Sequence, residues 1–258
     1  MVRFSEPNKR LLQRVAIQLC IVLIIMNLVM IVAADQPLST AFAPARRVPI
    51  YSVQREDKTI AISFDAAWGD DKTFKILDIL DEFQIKTTFF LVGFWVDKYE
   101  ADVTEIYARG HEVQNHSTTH PNMPQLQYGQ MVNELSVTAE KIEKITGVRP
   151  TLFRPPFGDY SNAVLQACDE TGHTAIQWSV DSLDWKSLGV EPMVNRVTQN
   201  VQPGSIVLFH NNSDYILEAL PIILHRLVAE GYTIVPVSQL LHTGTYTIDH
   251  AGMQIPAE

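Results

Sequence analysis

Cysteine is scarce in this chain. The 258 residues include two, Cys20 in an apolar N-terminal run and Cys168 in the region that folds. A disulfide framework within the folded region is therefore excluded. About two hundred residues can instead supply a hydrophobic core large enough for stability. Cys168 lies in the helical pattern LQACDE and is interpreted as a small buried apolar residue rather than a nucleophile.

Clusters of basic residues are missing too. Lys and Arg number 20 against 29 Asp and Glu, for a formal net charge of -9. Nucleic acid is not expected as a partner, because its recognition depends on concentrated positive charge. Twelve Gly and fourteen Pro are too few for a collagen-like or low-complexity chain. A hydrophobic fraction of 46% predicts one folded core.

One long apolar run interrupts this ordinary composition. Residues 15–34, VAIQLCIVLIIMNLVMIVAA, carry no charge and follow four basic residues, Arg3, Lys9, Arg10 and Arg14. Such a segment is long enough to cross a bilayer with its basic side in the cytoplasm. The sequence thus predicts a single-pass anchor in the cell membrane, with the rest of the chain on the extracytoplasmic side. A cleaved signal peptide is the alternative.

The remaining chain divides by composition. The predicted segments are a basic cytoplasmic N-terminus (1–14), the anchor or uncleaved signal (15–34), a linker rich in Pro, Ala and Ser (35–57), a folded domain (58–242) and a C-terminal tail (243–258). Within the folded domain, seven β-branched runs alternate with helical patterns: 59–65, 86–92, 111–115, 150–154, 173–180, 204–210 and 232–237. The alternation predicts a parallel sheet, either doubly wound or closed into a barrel.

Polar residues at the strand ends favour the barrel. Asp65, His116, Arg154, Asp181 and His210 each lie at or just past the carboxyl end of a different predicted strand. A barrel gathers these ends at one mouth, whereas an open sheet spreads them along an edge. We therefore expect the five side chains to meet.

The segment NHSTTHPNM holds the strongest local signal for a metal. His116 and His120 are four residues apart, so on one face of a helical turn both imidazoles reach one zinc-sized ion. Such a pair in an arbitrary sequence is usually solvated surface. Its place directly after a predicted strand favours a metal site.

Acid–base candidates occupy the other strand ends. Asp65 closes an apolar strand and is suited to act as a general base, while Asp70 and Asp71 precede a helix and are interpreted as capping or turn residues. Arg154, beside two prolines, either holds a carboxylate in bidentate geometry or forms a surface ion pair. His210 is either a rim histidine or a proton donor, and Asp184 is the candidate partner that would tune it.

Five motifs occur in a characteristic order: SFDAAWG, HSTTH, RPPFG, DSLDW and LFH. Over about residues 58–241 the chain resembles the polysaccharide deacetylases of carbohydrate esterase family 4, the NodB-homology domain. The resemblance implies an α/β fold, an incomplete (β/α) barrel with seven parallel strands. It also implies removal of N-acetyl groups from amino sugars, with release of acetate, assisted by a divalent metal, most often zinc.

The same resemblance assigns roles to single residues. Asp65 would be the general base oriented by Arg154, and His210 the general acid with Asp184 as its partner. His116 and His120 would be metal ligands. Side chains of the substrate-binding pocket would be Trp185, Leu208 and Phe157, the last standing where the family often has Tyr and offering its backbone N–H to the oxyanion.

One position departs from the family pattern. The first motif normally has two consecutive aspartates, the second a metal ligand, and the second is Ala66 here. Two histidines are fewer than the three protein ligands expected of catalytic zinc. Asp70 or Asp71 folds back to complete the site, Asp65 itself binds the metal, or catalysis has been lost. The motif SFDAAWG resembles the sporulation-associated PdaB-type subfamily, which implies a role in the cell wall or spore cortex.

Two functions follow as expectations. The first is a metal-dependent deacetylase acting on peptidoglycan-type amino sugars. The alternative is a catalytically degenerate, membrane-tethered module that binds peptidoglycan or serves as a scaffold in sporulation. An esterase acting on O-acetyl groups would use the same site.

Overall fold

The computed structural model describes residues 6–34 and 45–257. These residues belong to two compact units, 1–45 and 46–258. The described part of the first unit is essentially one helix, α1 (Glu6–Ala34). Every strand among the described residues lies in the second unit, as does the candidate site.

The membrane span expected over 15–34 is not supported. Among the described residues, no helix is both long and apolar enough to cross a membrane.

Short strands and longer helices alternate through the second unit. The strands, in chain order, are β1 (Ser52–Val53), β2 (Thr59–Ala66), β3 (Thr88–Leu91), β4 (Glu112–Asn115), β5 (Leu152–Phe153), β6 (Thr174–Ala175), β7 (Val180–Asp181), β8 (Ile206–His210), β9 (Thr233–Val235), β10 (Tyr246–Ile248) and β11 (Met253–Pro256). The helices after α1 are α2 (Thr73–Glu82), α3 (Gly93–Lys98), α4 (Glu100–Ala108), α5 (Tyr128–Thr146), α6 (Asn162–Thr171), α7 (Val190–Asn200), α8 (Ile216–Ala229) and α9 (Val237–Leu240).

The main sheet is a parallel half-barrel, as the sequence predicted. Its strand order is β6-β5-β4-β3-β2-β8-β7, and β9 pairs with the start of β2. It has eight strands rather than seven, because the predicted run 173–180 is two strands on opposite edges of the sheet. The residues between β6 and β7 therefore cross the gap that an incomplete barrel leaves open.

Residues assigned to the linker and the tail also belong to the second unit. Ile50 is fully buried and forms a parallel bridge with Ile176 inside that gap. Strand β1 pairs with β11, and β10 and β11 form an antiparallel ribbon, so the end of the chain packs as a small sheet. The compact unit thus extends beyond the predicted bounds 58–242, since β1 and the ribbon complete each other's backbone hydrogen bonds.

The alternation of side chains along β2 sets both the core and the site. Phe64 and Ala66 face the layer between sheet and helices, together with Ile76 and Leu224. Ala61 faces the barrel interior. Asp65 shares that interior parity and lies at the carboxyl end, where the interior opens to solvent. All of β2 is buried because both faces of a parallel sheet are covered.

Candidate active site

The register of the sheet brings the predicted residues to one mouth. Asp65 on β2 lies directly opposite His210 on β8. Asn115 on β4 lies opposite Phe153 on β5, so the next residues, His116 and Arg154, leave the sheet side by side. The expected meeting of strand ends is confirmed by this register.

Asp65 and Arg154 form a buried ion pair. Arg154 Nη1 donates to Asp65 Oδ1 at 2.7 Å, and Nη2 donates to the carbonyl of Gln177 at 3.2 Å. Arg154 makes one hydrogen bond to Asp65 rather than a bidentate pair, because its second terminal nitrogen, Nη2, donates to the Gln177 carbonyl instead. Burial raises the pKa of Asp65, but the charge of Arg154, followed by the electrostatic effects of His116 and His210, outweighs burial and lowers the pKa below its ordinary value. Asp65 is therefore an ionised carboxylate whose second oxygen, Oδ2, receives no hydrogen bond from Arg154.

His116 is oriented by the backbone of Arg154. Its Nδ1 lies 2.7 Å from the Arg154 carbonyl, an acceptor, so Nδ1 carries the proton. The lone pair on Nε2 then faces the site, 3.5 Å from Asp65 Oδ2. Burial lowers the pKa of His116 and keeps the ring neutral. A neutral imidazole fixed in one tautomer is the form that binds metals.

His120 reaches the same cavity from a loop, not from the helical turn that the sequence predicted. Ser117 and His120 have left-handed φ angles of 70° and 56°. The two imidazole rings nevertheless have centroids 5.0 Å apart. Burial, reinforced by His116, lowers the pKa of His120 to about 4. The pair is brought together by a strained loop rather than by helical spacing.

Glu134 of α5 holds that loop and was not singled out from the sequence. Its Oε2 accepts the backbone N–H groups of Thr118 and Thr119, each at 2.8 Å, and its Oε1 accepts the Thr119 hydroxyl at 2.8 Å. A carboxylate satisfying three donors stabilises the left-handed turn around the histidines. In the sequence Glu134 is one polar residue of an amphipathic helix, and nothing there distinguishes it.

His210 and Asp184 form the second pair. The Asp184 carboxylate accepts the backbone N–H of His210 at 2.7 Å and lies 2.7 Å from Nδ1 of the same residue. Burial lowers the pKa of His210, but the hydrogen bond and charge of Asp184 outweigh it and raise the pKa above its ordinary value. Because Nδ1 is engaged with Asp184, Nε2 is the nitrogen available to the cavity. A cationic imidazole held this way is a proton donor.

The cavity at the mouth has a volume of about 650 Å³. Trp185, Leu208 and Phe157 line it, as expected, together with Asp65, the histidines and Asp184. Leu208 is buried, whereas the rings of Trp185 and Phe157 are largely exposed at the rim. Trp185 lies on a 3₁₀ turn (Asp184–Lys186) between two left-handed residues, Leu183 and Ser187.

A third metal ligand is absent among the described residues. Asp70 and Asp71 do not line the cavity, and the α2 N-cap is Lys72, which makes no side-chain capping bond. Ala66 is fully buried in the outer core layer. Within the ranges 6–34 and 45–257 no three His, Cys, Asp or Glu side chains are grouped to hold a metal. The residues present therefore do not fit the three-ligand zinc site that the family resemblance implies.

A buried carboxylate and a histidine with a raised pKa lie opposite each other on adjoining strands of the α/β half-barrel. The family model for polysaccharide deacetylase matches residues 52–176. A peptidoglycan-N-acetylglucosamine deacetylase of Bacillus cereus is 35% identical over 198 residues, which cover 74% of this chain and 92% of that protein. The chain belongs to the polysaccharide deacetylase family.

The chain is similar to three further proteins or variants, and the last two bear on activity. An uncharacterized protein of Bacillus subtilis, YlxY, is 33% identical over 193 residues, 75% of this chain and 60% of that protein. The wild-type structure of BA3943 from Bacillus anthracis, described as a CE4 family pseudoenzyme, superposes with a TM-score of 0.72 at 34% identity, covering 75% of this chain and 68% of that one. A mutant of that protein, described as having restored enzymatic activity, gives a TM-score of 0.73 at 35% identity, over 75% and 71% of the two chains.

Proposed function

We propose that the cavity binds an N-acetylated sugar of peptidoglycan and hydrolyses its acetamide to acetate and a free amine. The observation that carries the proposal is the pair of complete acid–base units in one cavity, Asp65 with Arg154 and His210 with Asp184. Each unit holds its reactive group in the protonation state that hydrolysis requires. A protein that only binds glycan requires neither of these two acid–base units.

The proton transfers follow from the geometry. Asp65 Oδ2 takes a proton from a water molecule as the water oxygen forms a bond to the acetyl carbon. The C–N bond then breaks, and His210 Nε2 gives its proton to the departing nitrogen. The products are acetate and an amino sugar, and Asp65 and His210 exchange protons with solvent to return to their starting states. Arg154 keeps Asp65 ionised until it takes that proton.

The cavity walls position the acetyl group in this proposal. Leu208 and Trp185 enclose its methyl, and the backbone N–H of Phe157 donates to the carbonyl oxygen as negative charge develops there. In the family a metal supplies further polarisation of that oxygen. Because the residues described here do not complete its site, no step is assigned to it.

The substrate class is supported by the names of relatives. Besides the Bacillus cereus enzyme, a peptidoglycan-N-acetylmuramic acid deacetylase of Bacillus subtilis, PdaC, is 33% identical over 189 residues.

Peptidoglycan lies outside the cytoplasmic membrane, so we propose that the second unit acts there. Cleavage of a C-terminal tag by protease added to intact protoplasts tests this location. The sporulation role implied by the PdaB-type resemblance stays a prediction.

Acetate release from peptidoglycan strands and from N-acetylglucosamine oligomers tests the activity. The full chain is compared with Asp65→Asn, and Asp71→Asn serves as a matched control because Asp71 is exposed outside the cavity. Acetate should appear with an equal amount of free amine in the wild type and the control. Acetate without amine from an O-acetylated polymer would instead identify an esterase.

A non-catalytic glycan-binding module is the second candidate. Ala66 at the ligand position and the similarity to a CE4 pseudoenzyme favour it. Wild-type protein that binds oligomers but releases no acetate, with or without added zinc, would establish this function. Acetate release that depends on Asp65 would exclude it.

A further inference from the structure

Gln177 lies in the segment that crosses the gap of the half-barrel, between β6 and β7. The residue is 1% exposed and does not line the cavity. Its polar groups nevertheless connect three separate parts of the chain. Its backbone N–H donates to the Ile50 carbonyl at 2.7 Å, its carbonyl accepts from Arg154 Nη2 at 3.2 Å, and its Nε2 donates to the Gly158 carbonyl at 2.9 Å. Gln177 therefore lies directly behind the site without being part of its wall.

The hydrogen bond from Arg154 is one of two that hold its guanidinium. Arg154 Nη1 binds Asp65, while Arg154 Nε is buried and has no hydrogen-bond partner among the described residues. The Cζ atom of the guanidinium lies 4.1 Å from the ring centroid of Phe90 and 5.7 Å from that of Trp178. The Gln177 carbonyl is thus the second polar contact that directs the guanidinium toward Asp65.

The hydrogen bond to Gly158 holds the turn that presents the backbone N–H of Phe157. We call residues 155–158 the oxyanion turn. Phe157 and Gly158 have left-handed φ angles of 61° and 71°, and this conformation is unfavourable for an aromatic residue. It persists only where neighbouring groups enforce it. Gln177 Nε2 is one of these groups, and a Cβ at Gly158 would lie 3.0 Å from the Trp178 ring, so the turn packs against the segment that carries Gln177.

The backbone of Gln177 is itself fixed from two sides. On one side, Ile50 donates to the Ala175 carbonyl at 3.0 Å and accepts the Gln177 N–H. On the other side, the N–H of Ile176 donates to the Phe153 carbonyl of β5 at 2.8 Å. A side chain on a fixed backbone can hold a neighbouring group within the narrow tolerance of catalysis, where a misplacement of about 1 Å can cost about 10²-fold in rate.

We infer that Gln177 is a positioning residue, whose side chain holds the oxyanion turn so that the Phe157 N–H points to the developing oxyanion. The inference rests on the proposed function, which supplies that oxyanion. It goes beyond the proposed function because Gln177 lies outside the cavity and touches no reacting atom. The backbone carbonyl that holds Arg154 is kept in every Gln177 variant, so substitutions report on the oxyanion turn alone.

The variant Gln177→Met removes the side-chain donor and nearly keeps the side-chain size. With N-acetylglucosamine tetramer as substrate, kcat for acetate release should fall at least about tenfold while KM changes less than about threefold, because the lost alignment matters in the transition state. Both limbs of the pH–rate profile should keep their positions, since Asp65 and His210 keep their partners.

Gln254→Met is the matched control. Gln254 on β11 is also 1% exposed, and its side chain hydrogen-bonds the backbone N–H and carbonyl of His242 away from the cavity. In urea denaturation, both variants should lose stability to a similar extent. Only Gln177→Met should lower kcat.

The variant Gln177→Glu separates positioning from packing. An ionised carboxylate cannot donate to the Gly158 carbonyl, whereas a protonated carboxyl group can. The rate of this variant relative to wild type should therefore rise as the pH falls, and the relative rate of Gln177→Met should stay constant. A packing defect alone would give no recovery at low pH.

Titration with sodium acetate tests the inference without turnover. In the ¹⁵N-labelled full chain, acetate should shift the Phe157 amide resonance of wild type and Gln254→Met, and should shift it much less in Gln177→Met. Equal shifts in the three proteins, equal kcat of Gln177→Met and Gln254→Met, or a displaced acidic limb in Gln177→Met would overturn the positioning role. Absence of acetate release by wild type would instead overturn the proposed function, and the acetate titration would then decide the role of Gln177.

Discussion

The two halves of the cavity differ in completeness. In the acid–base half, Asp65 and His210 each have a partner at 2.7 Å, Arg154 and Asp184. In the histidine half, His116 and His120 are oriented and neutral, but the described residues offer them no third ligand. The two residue pairs of the first half are thus complete, whereas the second half has no third ligand of the kind that the family resemblance implies.

The two halves also differ in how the loss of one residue affects the stability of the fold. Arg154 and Asp65 are buried charges, and removal of either leaves the other unpaired in the interior. Ala66 is a small apolar residue in an apolar layer and leaves nothing unsatisfied. Loss of a metal ligand at this position is therefore tolerated by the fold, whereas loss of an acid–base partner is not.

Arg154→Met should give the largest effect on stability. The substitution leaves Asp65 buried without a counter-charge and should lower the free energy of unfolding by about 3–5 kcal/mol. Urea denaturation measures the change. The double variant Arg154→Met with Asp65→Asn should recover part of the loss, and a single variant within about 1 kcal/mol of wild type would show that the pair is not buried in solution.

Substitutions in the acid–base half should abolish turnover. Asp65→Asn and His210→Ala should each lower the rate of acetate release about 10²–10⁴-fold, the usual contribution of a general base or acid.

Asp184→Asn should change the pH dependence of acetate release. Asp184 raises the pKa of His210. Without Asp184, His210 should lose its proton at a lower pH, so the alkaline limb of the pH–rate profile should move to lower pH. An unshifted limb would remove His210 as the acid.

Ala66→Asp tests the histidine half. In the absence of zinc, a carboxylate in the outer core layer should lower stability by about 3 kcal/mol. To act as a third ligand, the new carboxylate has to turn from that layer toward His116 and His120; zinc should then restore the melting temperature and bind more tightly than to wild type. Ala66→Asn should be destabilised without rescue. Equal zinc affinity of wild type and Ala66→Asp would mean that another group already completes the site.

Glu134→Gln should have the smallest effect. An amide keeps one acceptor oxygen but cannot reproduce the three charge-assisted hydrogen bonds to the loop, so stability should fall by about 1.5–3 kcal/mol. The histidine resonances in NMR spectra should shift, reporting a changed loop. Glu140→Gln, an exposed position on the same helix, should change neither. Unaltered resonances in Glu134→Gln would show that the loop holds its own conformation.

Sequence patterns predicted a barrel and the place of each strand-end residue, because hydrophobic periodicity and parallel-strand topology are local and repetitive. They also gave Asp184 as the candidate partner of His210, whereas the incomplete barrel and the pairing of Arg154 with Asp65 came from the family resemblance. They missed the division of 173–180 between two sheet edges, which depends on barrel closure. They also missed Glu134 and the non-helical histidine loop, because both depend on contacts between residues distant in sequence. The site roles stay predictions, as do the predictions for residues 1–5 and 35–44, which lie outside the described residues.

Acetate release from an N-acetylglucosamine tetramer by the wild-type chain and by Asp65→Asn tests the account most directly. The account predicts acetate and free amine in equal amounts from the wild type, and a rate at least about 10²-fold lower in Asp65→Asn. Wild-type release that does not differ from that of Asp65→Asn would contradict it.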